Sequence, residues 1–337
     1  MEKDSLVEDI LALSVVAESI KSLIRPEWTD LAKSVSKLMT LKIIGDDEYY
    51  NQITDVIFKA YSAIFTDEFK DYLKRKDITY KDNLINNLVL LGEYGWCYYT
   101  ISSTNEDLSN ARLLSSLAKF LKGNPDATTK EVDEYNSKYF TRKVINDISQ
   151  GTAKYLDDSD EKKLHQAIIA YRGKWYLDCA NLLAGLIDSQ SIKQNLADIK
   201  NGKYPPDANG NQNVSQGWRA FFIVFQNNFS IYFGNESFNG NSKKASREKG
   251  FEDFVEKVKP NLHNYKITVP FLNLSYCLLK FFDDSDWKNY PNNKPEVINR
   301  HWLMHGMYDI EDITKADCIK LMLMLNQLSE LYSTLDK

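Results

Sequence analysis

Apolar residues return at spacings of three and four along almost the whole of this 337-residue sequence. Leu6, Ile10, Leu13, Val16, Ile20 and Leu23 make one such run, and Leu31, Val35, Leu38 and Leu41 make the next. That period places one apolar stripe on a helix, whereas a half-buried strand needs alternation at every second residue. Short apolar runs such as Phe221 to Val224 lie inside longer helical periods, and no segment carries a convincing strand signal. The pattern predicts an all-α protein, and a hydrophobic content of 43% is enough to bury a full core.

Turn chemistry divides the helices. Pro26 ends the first, Gly45-Asp46-Asp47 ends the second, and Gly92-Glu93-Tyr94-Gly95 ends a helix predicted over 82–91. Helical character continues over 107–121 and 130–155, separated by Gly123-Asn124-Pro125-Asp126. The acidic run Asp157-Asp158-Ser159-Asp160-Glu161 suits a helix N-terminus, where negative side chains complement the macrodipole, and it marks the expected domain boundary. The expected units are an N-terminal helical domain over 1–156, of unknown role, and a C-terminal helical bundle over 157–337.

Within the second unit, stripes through Leu164, Ile168 and Tyr171 and then Trp175, Cys179, Leu183 and Ile187 predict a helical hairpin with a tight glycine turn at Arg172-Gly173. Residues 201–211 are too polar to bury a core and predict an exposed loop, and the basic stretch 234–250 predicts a second one. Trp218, Phe221, Phe222, Phe225, Phe229 and Tyr232 recur at helical spacing and are read as core. A helix through Phe271 and Phe281 comes next. Thr314-Lys315-Ala316-Asp317 then opens a last helix with a reciprocal cap.

The net charge of −5 argues against a broad phosphate-binding surface and confines any nucleic-acid contact to a local pocket. Cys97, Cys179, Cys277 and Cys318 are widely spaced with no CxxC pairing, which predicts free thiols and a reducing, cytoplasmic setting. The sequence shows no targeting signal and no apolar run long enough for a bilayer, so no membrane association is expected.

The segment with the most chemistry is Asn299-Arg300-His301-Trp302-Leu303-Met304-His305-Gly306. Pro295 can open a helix and Gly306 can close it, predicting about three turns with His305 on the last. A cationic imidazole there is favoured by the partial negative charge of the final carbonyls. Arginine supplies a planar, permanently charged fork for phosphate oxygens. On an ideal helix, residues five apart point about 140° away from each other with a rise of about 7.5 Å. The arginine stem, or a second copy of the helix across a dimer, would have to close that gap.

Three other readings stand beside this one. His301 can be a core histidine on a stripe with Val297 and Met304; Arg300 can form a structural ion pair with Asp188, Asp283 or Asp284; or His301 and His305 can bind a metal with Asp309. The last ranks lowest, because no recognisable third-ligand helix accompanies the histidines, and the expected site holds no metal or other cofactor.

Arg300-His301-Trp302-Leu303-Met304-His305, with Gly306 behind it, resembles the arginine-polar-x-x-x-histidine signature of the HEPN superfamily, in the Asn-Arg-His-x-x-x-His-Gly form found in members linked to phage defence. The paired stretches around Tyr171-Arg172-Gly173-Lys174-Trp175 and Leu186-Ile187-Asp188 are similar to that family's paired helices, though Asp188 stands where relatives usually carry glutamate. The resemblance implies an HEPN-like bundle with insertions that acts as a metal-independent endoribonuclease, a toxin or phage-defence effector. It further implies Arg300 and His305 as catalytic, Asn299, His301 and Asp188 as supporting, RNA as a partner, a homodimer, and an antitoxin or other defence-system partner. A catalytically silent module that binds RNA, a nucleotide or a protein is the alternative.

Overall fold

A computed structural model describes residues 90–97, 120–121, 123–124, 126–203, 217–234, 244–258, 265–283 and 294–335. The helices predicted before residue 82, the loop residues 204–211 and most of the 107–121 helix lie outside these. By contacts the chain divides into two compact units, Met1–Thr79 and Tyr80–Lys337, and the described residues all belong to the second. Its described elements are helical, with no strand among them.

In chain order the helices are α1 (Thr129–Ser137), α2 (Arg142–Ala153), α3 (Asp158–Arg172), α4 (Tyr176–Lys200), α5 (Gly217–Asn228), α6 (Lys244–Val258), α7 (Tyr265–Phe281), α8 (Arg300–Met304) and α9 (Lys315–Ser333). α9 organises the rest. Every residue from Ala316 through Ser329 is buried, so this helix has no solvent face over most of its length. Such a helix must be enclosed by neighbours, and α4, α2, α7 and α1 pack around it. It opens as expected: the Thr314 hydroxyl accepts from the Asp317 backbone N–H at 3.3 Å, and the Asp317 carboxylate takes the Thr314 N–H at 2.9 Å.

Lys320 is the one cation that the sequence places inside this buried run, and it is fully buried. Its ammonium meets the Asp133 carboxylate of α1 at 2.7 Å, lies 5.6 Å from the Trp96 ring centre, and shares Asp133 with the Trp96 indole N–H, which donates at 2.9 Å. Burial pushes the Asp133 carboxyl above its ordinary range, and Lys320 opposes that shift. A buried lysine is tolerated here because its charge and its donors are matched.

The helical stretch predicted over 130–155 is two helices. The Thr141 hydroxyl accepts from the Val144 N–H at 3.4 Å and so starts α2 afresh, and Phe140 turns inward beside Trp96. The boundary expected at 156/157 falls inside the Tyr80–Lys337 unit, since α1 and α2 pack on α9 together with α4. The acidic run there is a cap, as its composition suggests. The Asp157 carboxylate accepts from the N–H groups of Ser159 and Asp160 at 3.0 and 2.9 Å.

Asp160 is fully buried beside α4, where its oxygens accept from Lys193 at 2.6 Å, Gln190 at 2.9 Å and Ser189 at 3.2 Å, and from Lys163 at 2.9 Å. These bonds fasten α3 to α4.

The α3–α4 turn departs from the expected form. Gly173 keeps right-handed backbone angles, and the left-handed residue is Lys174, at φ +63°. Space at Gly173 is tight: a Cβ would lie 3.3 Å from the Trp175 ring and 3.4 Å from the Ile169 carbonyl oxygen. Trp175, expected on the buried stripe, is 62% exposed.

The aromatic stripe of α5 is core, in agreement with its spacing. Phe225 stacks on Phe271 of α7 with ring centres 4.1 Å apart, inside a cluster with Phe221, Phe229, Phe233 and Phe254. The loop expected up to residue 250 is cut short, because α6 begins at Lys244. Phe251, Phe254, Val255 and Val258, all buried, supply the helical period that holds it. All four cysteines are buried and none is in a disulfide, and no helix among the described residues is long and apolar enough to cross a membrane.

Burial alone would raise the Asp160 carboxyl, but Lys193 and Lys163 bring it below the ordinary range, and Asp157 is lowered by its bonds to Lys193 and to the helix N–H groups. Depressed carboxyls contribute fully above their unfolded value of about 3.9 and lose that contribution as pH falls through the lower folded value. Urea unfolding of Asp160→Asn is therefore expected to show about 2–3 kcal/mol less stability at pH 7. The same variant should show a shallower loss than the parent between pH 5 and pH 3; equal slopes would refute the linkage.

Candidate active site

The segment 294–310 builds its site around one very short helix. Residues 295–298 are not helical, and α8 spans only Arg300–Met304, in place of the three turns expected from Pro295. The reason lies in Asn299. Its backbone is extended, at φ −123° and ψ 132°, and its side-chain oxygen accepts from the Trp302 N–H at 3.1 Å, so the helix starts there. The amide nitrogen donates to the carbonyls of Lys280 and Asp283 at 3.3 and 2.9 Å, which satisfies acceptors at the C-terminal end of α7. The Asn299 backbone N–H donates to the Tyr308 hydroxyl at 3.1 Å. Buried and fully engaged, Asn299 orients the helix; its amide is not placed to hold a phosphate.

The other end closes as glycine requires. Gly306 sits at φ +66°, its N–H donates to Leu303 O at 3.2 Å, and the Met307 N–H donates to Trp302 O at 2.9 Å. These two bonds are a Schellman cap. Trp302 and Leu303 are buried and anchor α8, whereas Met304, expected in the core, is 50% exposed. Two buried side chains and two caps fix five residues. Burial pushes the Tyr308 phenol up, away from ionisation, and its ring lies 5.8 Å from Trp302.

Two pairs of chemically active groups result. Arg300, the first residue of α8, reaches Asp188 on α4. Nε and Nη2 both meet Oδ2, at 2.6 and 2.5 Å, while Oδ1 is buried without a hydrogen-bond partner. Arg300 thus pairs with Asp188, one of the three carboxylates that the sequence offers it, of which Asp284 lies outside the described residues, and 30% of the arginine side chain stays exposed. His301 and His305 form the second pair, with ring centres 4.4 Å apart and planes tilted by 52°. His305 is exposed and His301 half-buried, which is less enclosed than a core histidine. His305 occupies the C-cap at φ −95° and ψ 6°, beyond regular helix, so the 140° offset of an ideal helix does not describe it.

Among the described residues no group of three or more His, Cys, Asp or Glu gathers as a metal cluster, and Asp309 does not complete one with the histidines. A separate cleft of about 970 Å³ is lined by Lys130, Asp133, Lys294, Glu311 and Asp317, but by neither Arg300 nor His305. Sequence reasoning does not find the Trp96–Asp133–Lys320 arrangement behind it, whose one signal is a lysine flanked by Ile319 and Leu321.

Asn299→Ala removes the N-cap and takes a donor from the carbonyls of Lys280 and Asp283, an expected loss of about 2–3 kcal/mol. A Cβ at Gly306 meets nothing within 4 Å, so Gly306→Ala costs only backbone strain, about 1 kcal/mol. Urea denaturation of both variants checks the ranking, and the reverse order would show that the helix is held from its C-terminal end. Compared with protein-family profiles, curated proteins and solved structures, the chain gives no significant match.

Proposed function

We propose that this protein is a metal-independent endoribonuclease of the HEPN type, a toxin or phage-defence effector, with Arg300 and His305 as its catalytic residues. The observation that carries the reading is that a partly exposed guanidinium and an exposed imidazole stand at the two ends of one six-residue segment, Arg300 to His305, which is capped at both ends and anchored by Trp302 and Leu303.

In the proposed reaction the ribose 2′-oxygen bonds to phosphorus and the P–O5′ bond breaks. One product ends in a 2′,3′-cyclic phosphate and the other in a 5′-hydroxyl. Imidazole suits the proton transfers because its charge changes near neutral pH. Arginine suits the phosphoryl oxygens, where charge builds in the transition state. Asp188 positions the guanidinium by holding one edge of the fork, which leaves the remaining donors for phosphate. His301, whose ring lies against that of His305, is a supporting group. A homodimer that places two copies of α8 together would supply a second imidazole, so that one acts as base and the other as acid.

The alternative, a module that binds RNA, a nucleotide or a protein without cutting, draws on the same ion pair. A guanidinium already compensated by Asp188 can serve recognition as well as catalysis.

Purified protein incubated with end-labelled RNA in EDTA is expected to give fragments ending in cyclic phosphate. His305→Ala should lower the rate by about 10²–10⁴-fold and Arg300→Ala by about 10²–10³-fold, with circular dichroism unchanged. Intact RNA with retained binding would favour the silent module. Light scattering should show a dimer at micromolar concentration, and a monomer there would remove the two-copy site.

A further inference from the structure

We propose that His301 and His305 form a two-histidine site for a divalent transition metal, copper(II) best among them, and that its occupancy switches the neighbouring chemistry off. The inference starts from ring geometry. A metal about 2.0–2.1 Å from each ligating nitrogen stands roughly 3.2 Å from each ring centre, so imidazoles binding at right angles have centres on the order of 4.5 Å apart, and at the tetrahedral angle about 5.2 Å. The observed separation is 4.4 Å, with the planes tilted by 52° instead of stacked flat. That separation is within the span of two adjacent positions of a square-planar or octahedral ion once each ring turns a nitrogen toward it, the geometry that copper(II) and nickel(II) take with nitrogen and oxygen ligands.

Three further features agree. The rings lie one turn apart on a segment fixed by two caps, so little freedom is lost when they converge on one ion. His305 is exposed, which leaves the remaining coordination positions to water. The cation nearest in sequence, Arg300, would repel a metal ion, but its charge is matched by Asp188 at 2.5 Å. Two imidazoles alone hold an ion reversibly, so the proposed site takes its metal from solution; among the described residues no group of three His, Cys, Asp or Glu gathers.

The binding site stands without the nuclease reading, whereas its inhibitory consequence rests on it. An imidazole nitrogen that ligates a metal cannot carry a proton, so a bound ion removes His305 from acid–base work. A metal-independent reaction would then be one that metal suppresses.

The test uses the full chain, stripped with EDTA, desalted, and titrated with copper(II) alone. Binding is expected near one equivalent above any background, with electron paramagnetic resonance showing hyperfine splitting from two imidazole nitrogens. His301→Gln and His305→Gln should each weaken binding by about 100-fold, because the second ligand of a linked pair acts at high effective concentration. His165→Gln, at an exposed position on α3, should leave it unchanged. His305 is itself exposed, so its substitution spares the core and keeps the test independent of folding. Unchanged affinity in His305→Gln, or a spectrum with one imidazole or none, would overturn the site. Cleavage of labelled RNA is measured separately with and without copper. A protein that binds the ion and cuts no RNA retires the nuclease reading and leaves the metal site, while cleavage that continues at saturating copper removes the inhibitory consequence.

Discussion

A helix with no solvent face must be surrounded, and most of the architecture of the Tyr80–Lys337 unit answers that demand on α9. Residues Ala316 to Ser329 are all buried, so α4, α2, α7 and α1 are required as walls. The polar groups inside have to be met as well. Lys320 finds Asp133 and the face of Trp96, and the Asn326 amide donates to the Thr152 hydroxyl at 3.0 Å. These contacts fix which faces of α1 and α2 can turn inward, and apolar packing alone specifies that weakly.

Much of this is legible in the sequence, because it is written in periodicity and caps. The Thr314–Asp317 box, the Asp157 cap and the aromatic stripe of α5 are all local signals, and local signals survive folding unchanged. The features that escape a reading of the sequence are set by contacts distant along the chain. Nothing near Lys320 announces that its partner lies 187 positions earlier. Pro295 and Gly306 look like the two ends of α8 and make it too long. A tertiary bond pattern at Asn299, shared with α7, overrides the proline and begins the helix later. Spacing assigns Trp175 to a buried stripe, but it lies in the turn, where its ring closes over Gly173 and stays in water.

At the candidate site the residue types are plain in the sequence, and their pairings come only with the fold. Arg300, His301 and His305 are evident as chemistry, yet a helical projection cannot say whether the arginine faces the histidines or a carboxylate. It is joined to Asp188, while the two imidazoles lie tilted against each other. Such a division suits a reaction that separates charge stabilisation from proton transfer. It also suits recognition of a phosphate by the arginine alone.

Asn299 makes a single carboxamide answer to two helices, with its nitrogen committed to the end of α7 and its oxygen to the first turn of α8. The two ends are thereby geared together. A shear of α7 along its axis, driven by repacking around Phe271, would drag the base of Arg300 with it while leaving every charge in place. Substitutions far from the site would then reach it as displacement, and residues of the aromatic cluster would constrain its alignment without ever touching it.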